Sequence, residues 1–486
     1  LLAPNSVGGR GLVCVWRMQR DDSEMMTRPV GIPTRRGMGL GRDWTKGSIT
    51  RNLLSLSWPM IVSYSLNMIG PTIDMIWVGR LGAADIAAVG VAGIAVMLVQ
   101  AALMGLFMGL RAMVARFIGA GDEGSANGVA QQALVVGAVS SIILAIIGIF
   151  FAEGILALVG LAPEVIDLGA AYLRIQFIGM VAMSFRMMTD GTMQASGDTM
   201  TPMKIAFAFR VLHVALSPFL IFGWWIFPRL GVSGAALTNV ISQSLGTGLG
   251  FWILMTGRSR LRLSFRRFRV APGIIWRMIR VGLPASVMSM QMNLGQFVLM
   301  SVVAPFGTLA VAAHSLNQRV EMFIFMPAWG LGIAAGVLVG QNLGARQPAR
   351  AEKSGWLAAG MVEGFILVCS AAILIWAEAF IHIFSSDPGV VSIGATFLRI
   401  ATAGYIVMGL TAVLQQCISG SGDTLLPMLV SIATMWLVQL PLAYFLSRFT
   451  NLGVYGVRWA IVAGTFVGAV AYITYFRSGR WKRKVV

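Results

Sequence analysis

Asp74 stands in an otherwise apolar stretch, IDMIWVG, residues 73–79. A carboxylate near a bilayer centre costs about 3 kcal/mol on insertion scales, so a membrane-embedded one calls for a function. Asn67 lies seven residues earlier on the same helical face. Between them Pro71 has no amide to bond the carbonyl of Asn67 and is expected, with Pro59, to kink the helix. A freed carbonyl, an amide and a carboxylate grouped in this way can hold a proton or coordinate a small cation. The alternative is a carboxylate neutralised by a structural partner such as Arg210. A second polar set lies in FRVLHVALSP, residues 209–218, where His213 and Ser217 are spaced i,i+4 and share a face. Histidine titrates near neutral pH, so His213 could share a proton with Asp74 if the two helices meet; otherwise it is a satisfied core histidine. His314, Arg319 and Glu321 read as an intramembrane polar network rather than as substrate contacts.

The elements that must position these groups are membrane helices. Of 486 residues 57% are hydrophobic and 12% charged, with a mean hydropathy of +0.78. A soluble chain would carry about twice that charged fraction. Twelve apolar runs are long enough to cross a bilayer, from near 53–77 to near 454–476, and runs this long mean helices. The net charge of +18 does not indicate nucleic-acid binding. Most Lys and Arg fall in the N-terminal tail, after even-numbered helices and at the C-terminus, whereas Arg80, Arg229, Arg448 and Arg458 are assigned to the opposite side. That asymmetry predicts both termini in the cytoplasm, with the basic stretch 258–280 set for topology and contact with anionic lipid. The expected organisation is an N-terminal cytoplasmic extension (1–50), an N-lobe of helices one to six (51–256), a basic linker (257–280), a C-lobe of helices seven to twelve (281–477) and a basic tail (478–486).

A repeat at a constant offset supports two lobes. Pro59, Gly82, Gly119 and Arg174 match Pro284, Gly307, Gly344 and Arg399, and SGDTMTPM (196–203) matches SGDTLLPM (421–428), each 225 residues on. Six helices per half is an even number, so the repeats are parallel, as in transporters whose cargo cavity lies between two rocking lobes. The motifs around Asp198 and Asp423 read as helix caps ahead of Pro202 and Pro427. Function is expected where symmetry breaks: Asp74 falls opposite Leu299. No Gly-rich nucleotide loop, zinc-spaced cluster or disulfide framework is present, so neither an enzyme, a metal site nor a cofactor is expected.

The chain resembles the multidrug and toxic compound extrusion family over residues 50–477. The resemblance rests on WPMIVSYSLNMIGPTIDMIWVGRLGAADIAAVGVA, VGQNLGARQPARA, MQASGDTMTPM and CISGSGDTLLPM. It implies an all-α polytopic protein with twelve transmembrane helices in two lobes. The implied activity is export of cationic or amphipathic small molecules across the cytoplasmic (inner) membrane in exchange for H+ or Na+. Asp74 is similar to the family's coupling carboxylate, with Asn67 and Pro59 at matching motif positions; where many members carry an Asn and an Asp before the helix-five proline, this chain departs with His213 and Ser217. Tyr64, Met68, Met292, Asn293 and Gln296 are the expected cavity residues. Where sodium-coupled members carry a glutamate in helix seven this chain has Met292 and Asn293, and helix ten also lacks an acid. Proton coupling is therefore expected, with sodium coupling or a flippase of lipid-linked or metabolite cargo as alternatives. Membrane lipid is the expected surrounding partner, and the chain is expected to function as a monomer.

Overall fold

The computed structural model describes residues 42–157, 163–266 and 268–484, so most of the expected N-terminal extension lies outside the described residues. Twelve long helices follow in order. In the first half they are α1 (Ile49–Val78), α2 (Ala83–Gly119), α3 (Glu123–Ala157), α4 (Pro163–Ser196), α5 (Met200–Phe222) and α6 (Gly231–Thr256). In the second they are α7 (Pro272–Val303), α8 (Thr308–Gly344), α9 (Pro348–His382), α10 (Pro388–Gly420), α11 and α12 (Tyr455–Ser478). α11 is built from Leu425–Ile432, a π-helical turn Ala433–Gln439 and Leu440–Phe449. Several helices outrun the apolar stretches that announced them; α2 and α8 are each 37 residues, about 55 Å, and project beyond a hydrocarbon layer of about 30 Å.

Ten helices are long and apolar enough to cross a membrane by length and composition alone. α1 and α6 are long enough but are diluted by polar and small residues: Asn67, Thr72 and Asp74 in α1, and Ser, Thr, Asn and Gly throughout α6. Both pack against α5, where Asp74 of α1 is buried, while Asn67 and Thr72 stay exposed.

Packing repeats with the sequence. α1 packs on α5, α2 and α3 on α4, and α4 and α5 on α6; α7 packs on α11, α8 and α9 on α10, and α10 and α11 on α12. Between the halves α2 meets α7, as α8 meets α1, and α2 meets α8 near the pseudo-twofold axis. Turns repeat too. Gly197 and Gly422 adopt φ of +94° and +97°, a left-handed conformation open to glycine, ahead of α5 and α11. Asp198 accepts from the amide of Thr201 at 3.1 Å, the expected cap, and from Ser259 Oγ at 2.7 Å. Asp423 departs from that expectation: its carboxylate accepts from Tyr475 Oη at 2.5 Å and lies 3.3 Å from Lys484 Nζ, tying down the C-terminal tail.

The two halves are sealed at the end that carries the linker. A Cβ on Gly119 would fall 2.0 Å from the Gln341 carbonyl oxygen, and one on Gly344 2.0 Å from that of Arg116. These contacts are pseudo-symmetric, backbone against backbone, and only glycine permits them. Arg116 Nη1 donates to Ser421 O at 3.2 Å, and Gln341 Nε2 to Ala195 O at 2.8 Å. The seam continues to mid-height, where Ser286 Oγ donates to Ala102 O at 2.5 Å and Ser65 Oγ lies 2.9 Å from Met326 Sδ. Among the described residues no hydrogen bond joins the halves beyond that level, and Asn67, Thr72, Gln296 and Arg319 are exposed there.

Candidate functional site: a buried charge relay between α1 and α5

α1 keeps helical geometry through both Pro59 and Pro71, so neither proline breaks the helix. What Pro71 provides is the free carbonyl of Asn67, which accepts from Arg210 Nη2 at 3.2 Å. Arg210 Nη1 lies 3.0 Å from His213 Nδ1, and His213 Nε2 lies 3.2 Å from Asp74 Oδ1. Ser217 Oγ donates to the backbone oxygen of His213 at 2.9 Å and reaches Asp74 Oδ1 at 3.5 Å. Asp74, Arg210, His213 and Ser217 are all buried, at 6%, 8%, 1% and 0% exposure.

Hydrogen-bond chemistry orders the relay. A guanidinium only donates, so His213 Nδ1 accepts and its single proton resides on Nε2, facing Asp74. The Nε2 contact is off the line of a well-formed hydrogen bond, and the Ser217 contact is long. Asp74 is thus held close to two donors but gripped by neither.

The relay extends past Arg210. Its guanidinium carbon lies 4.9 Å from the Phe209 ring centroid, and that of Arg186 lies 3.6 Å from the same ring. Arg186 in turn pairs with Asp190 at 3.3 Å. The interior of the first half therefore holds two arginines and two carboxylates around a histidine.

Of the expected site residues, Asp74, His213 and Ser217 are brought together. Asn67 joins through its backbone oxygen, while its side chain is exposed. Tyr64 and Met68 are half-buried on α1, and Tyr64 packs against the core. Met292 and Gln296 are exposed on α7, where Gln318 Nε2 donates to Gln296 Oε1 at 2.9 Å. Asn293 Nδ2 bonds the Ser289 carbonyl of its own helix at 2.9 Å and joins no second element.

Arg210 is an integral member of the network rather than an optional neutraliser. Its spacing from His213 and Ser217, i,i+3 and i,i+7, was the signal available for it in the sequence. The expected network on α8 is rearranged. Glu321 pairs with Arg458 at 2.9 Å, Arg319 is exposed, and His314 enters only through its carbonyl, 3.5 Å from Arg458 Nη2. Arg458, expected in a segment outside the membrane, is 2% exposed inside α12, because Glu321 and the Phe397 ring, 5.0 Å from its guanidinium, receive it.

Two six-helix halves of repeated packing, sealed together at the linker-bearing end, with a charged relay buried in one of them, define a multi-pass membrane transporter. The chain belongs to the MatE family, the multidrug and toxic compound extrusion transporters: the family profile matches residues 59–219 and again 284–445, one match in each half. Among its relatives, the probable multidrug resistance protein YoeA of Bacillus subtilis is 27% identical over 449 residues, covering 91% of this chain and 96% of that one. The probable multidrug resistance protein NorM of Deinococcus radiodurans is 29% identical, covering 88% and 96%. A solved structure described as the outward-facing conformation of a multidrug resistance MATE family transporter shares the fold, with a TM-score of 0.85 at 24% identity over 91% of this chain and 98% of that one.

Proposed function

We propose that the chain is a proton-coupled exporter of cationic or amphipathic small molecules, acting by alternating access across the cytoplasmic membrane. The class of cargo is supported by relatives named as multidrug resistance proteins. The lysine and arginine asymmetry supports an orientation with the sealed, linker-bearing end toward the cytoplasm. The chain works as a single copy surrounded by lipid.

The observation that carries the choice of ion is Arg210. Its Nη2 takes up the Asn67 carbonyl that Pro71 frees, so the oxygen a small cation would need is already engaged by a guanidinium. A proton needs only Asp74 Oδ1 or Oδ2. While Asp74 is ionised it balances Arg210 through His213. When a proton arrives from outside, the carboxyl becomes neutral and Arg210 loses its counter-charge, which alters how α5 grips α1. A ligand shifts an equilibrium between two states only through different affinity for them, and a relay across the α1–α5 contact supplies that difference. For an uncharged cargo exchanged one for one, the inward proton is worth about 2.3 kcal/mol per 100 mV, about fiftyfold in cargo gradient. Exchange of one proton for one monovalent cation moves no net charge and is driven by the pH gradient.

The test is dye efflux from proteoliposomes under separately imposed pH and sodium gradients. Export should follow the pH gradient without sodium; export that requires sodium at constant pH would replace the proton with Na+ in this reading.

A further inference from the structure

The segment between α6 and α7 is fastened along its length. Asn127 on α3 brackets the Ser264 peptide, donating to its oxygen at 3.2 Å and accepting from its nitrogen at 3.1 Å. Gln131 also donates to Ser264 O. Gln132 spans two residues, donating to Arg269 O at 2.8 Å and accepting from Ala271 N at 3.0 Å. Leu261 and Leu263 are buried beneath the segment, and Ser259 is held by Asp198. The α3 face that carries Asn127, Gln131 and Gln132 is therefore a dock for linker backbone.

Docking fixes what the segment shows to its surroundings. Arg262, Arg266 and Arg269 are exposed, as are Phe265, Phe268 and Val270, and the first turns of α7 add exposed Trp276, Arg277 and Arg280. Residues 258–280 contain no Asp or Glu. Of the neighbouring acids, Asp198 accepts from Ser259 and Thr201, Asp122 from Ser125, and Asp43 from Thr45 while pairing with Lys46. Asp43, Asp198 and the exposed Glu123 lie on the side of Arg260, which is not among these exposed arginines.

Depth follows from the same bonds. Asn127 and Gln132 lie four and nine residues into α3, about 6 and about 14 Å along its axis. α3 has 35 residues, about 52 Å, which leaves about 11 Å at each end beyond a hydrocarbon layer of about 30 Å. The linker thus runs at headgroup level and descends to the acyl boundary, where arginines meet phosphates and phenylalanines meet chains.

The second repeat provides the contrast. Position 352, the counterpart of 127, is Glu352, which pairs with Lys482 at 2.5 Å, and position 356, the counterpart of 131, is Trp356, packed edge-on against Phe476. There the clasp holds the C-terminal tail, and Lys482 and Lys484 are consumed by Glu352 and Asp423. Among the described residues, Arg262, Arg266 and Arg269 of the linker form no ion pair, and Arg262 Nε donates only to the Met255 carbonyl at 3.4 Å.

We propose that residues 258–280 form a binding surface for anionic phospholipid headgroups, with Arg262, Arg266 and Arg269 on the phosphates and Phe265 and Phe268 at the acyl boundary. The proposal rests on membrane placement and not on the coupling ion. Because the segment is docked on α3 and continues into α7, bound lipid sits on the joint between the two halves.

The experiment reconstitutes the full chain in phosphatidylcholine vesicles containing trace spin-labelled phosphatidylglycerol or phosphatidylcholine, and compares the motionally restricted fraction of each. The wild-type protein should prefer phosphatidylglycerol. The pair Arg262→Gln with Arg266→Gln should lower that preference by about fivefold for each charge removed, and Phe265→Ser with Phe268→Ser should lower it without a change of charge. Arg480→Gln with Arg483→Gln, the same charge removed from the tail, should leave it within twofold. An equal loss from the tail pair would reduce the effect to net charge and overturn the proposal. So would an unchanged preference in the linker pair, or displacement of the labelled lipid by millimolar inorganic phosphate, which would point to a site for the free anion.

Discussion

A Cβ placed on Gly70 would lie 1.6 Å from Arg210 Nη1, and one placed on Gly295 would lie 2.1 Å from Met435 Cε. The two pairs are 225 residues apart, so the duplication preserved a slot in α1 and α7 and changed what fills it. In the first half the slot admits a guanidinium that reaches Asn67 and His213. In the second it admits a thioether, and Leu299 stands where Asp74 would be. A charged relay thus has an apolar twin built on the same backbone.

Gly70→Ala should expel the guanidinium and lower proton-driven export by tenfold or more with normal membrane insertion. Gly295→Ala should leave export within twofold, because it displaces only the flexible, uncharged Met435 side chain and no member of the relay. Dye efflux normalised to protein in the membrane reads both; equal losses would mean that the slot matters only for packing.

Asp74→Asn should insert and fold but lose coupled export. The amide matches a protonated carboxyl in size and hydrogen bonding, and the insertion cost falls. What is removed is the second charge state. Cargo binding by the purified variant, measured alongside efflux, separates loss of coupling from loss of binding; efflux at the wild-type rate would remove Asp74 from the mechanism.

Arg210→Met copies the second half into the first. It frees the Asn67 carbonyl and leaves Asp74 without its counter-charge, so proton-driven export should collapse while sodium at constant pH gains an effect on export. Wild-type export driven by pH alone in this variant would show that Arg210 is a bystander.

Gly119→Val and Gly344→Val should each prevent the sealed end from closing, since the opposing atoms are backbone carbonyls that cannot yield. A cysteine placed at Ala115, beside the seam, should become more reactive toward an impermeant maleimide applied from the linker side. The pseudo-symmetry requires comparable effects from both variants, and an effect from one alone would show that the seam opens unevenly.

Glu321→Gln should reduce stability rather than coupling. It leaves the buried Arg458 without its partner, which costs about 3–5 kcal/mol in buried pairs, less here because Glu321 is partly exposed. Thermal unfolding in detergent should show a lower midpoint, partly restored by adding Arg458→Met. A stable variant that exports without proton coupling would move the ion site into the second half.

Much of this arrangement was legible in the chain itself. Helix class and most of the helices follow from hydropathy, because lipid leaves backbone groups no partner except their own helix, while α1 and α6 are the two whose polar residues dilute that signal. The two-lobe plan follows from a register kept at 225 residues, since only a duplicated fold keeps Gly, Pro and Asp aligned over such a length. Asp74 stood out because a carboxylate in apolar sequence is energetically expensive, and the missing amide of Pro71 could be read from covalent structure.

Tertiary structure decided which groups meet. Periodicity places His213, Ser217 and Arg210 on one face of α5 but is silent on what that face touches; only the packing of α5 on α1 sets His213 3.2 Å from Asp74 and Arg210 3.2 Å from the Asn67 oxygen. Arg458 looked like a residue beyond the membrane because one arginine near a helix start has no intrinsic depth, and its partner Glu321 is 137 residues away. The linker arginines could be counted, but Asn127, Gln131 and Gln132 had no sequence partner, since side-chain amides bonding a distant backbone leave no periodic trace. Local energetics are written in each residue, whereas pair energies depend on distances that come into being only when the helices pack.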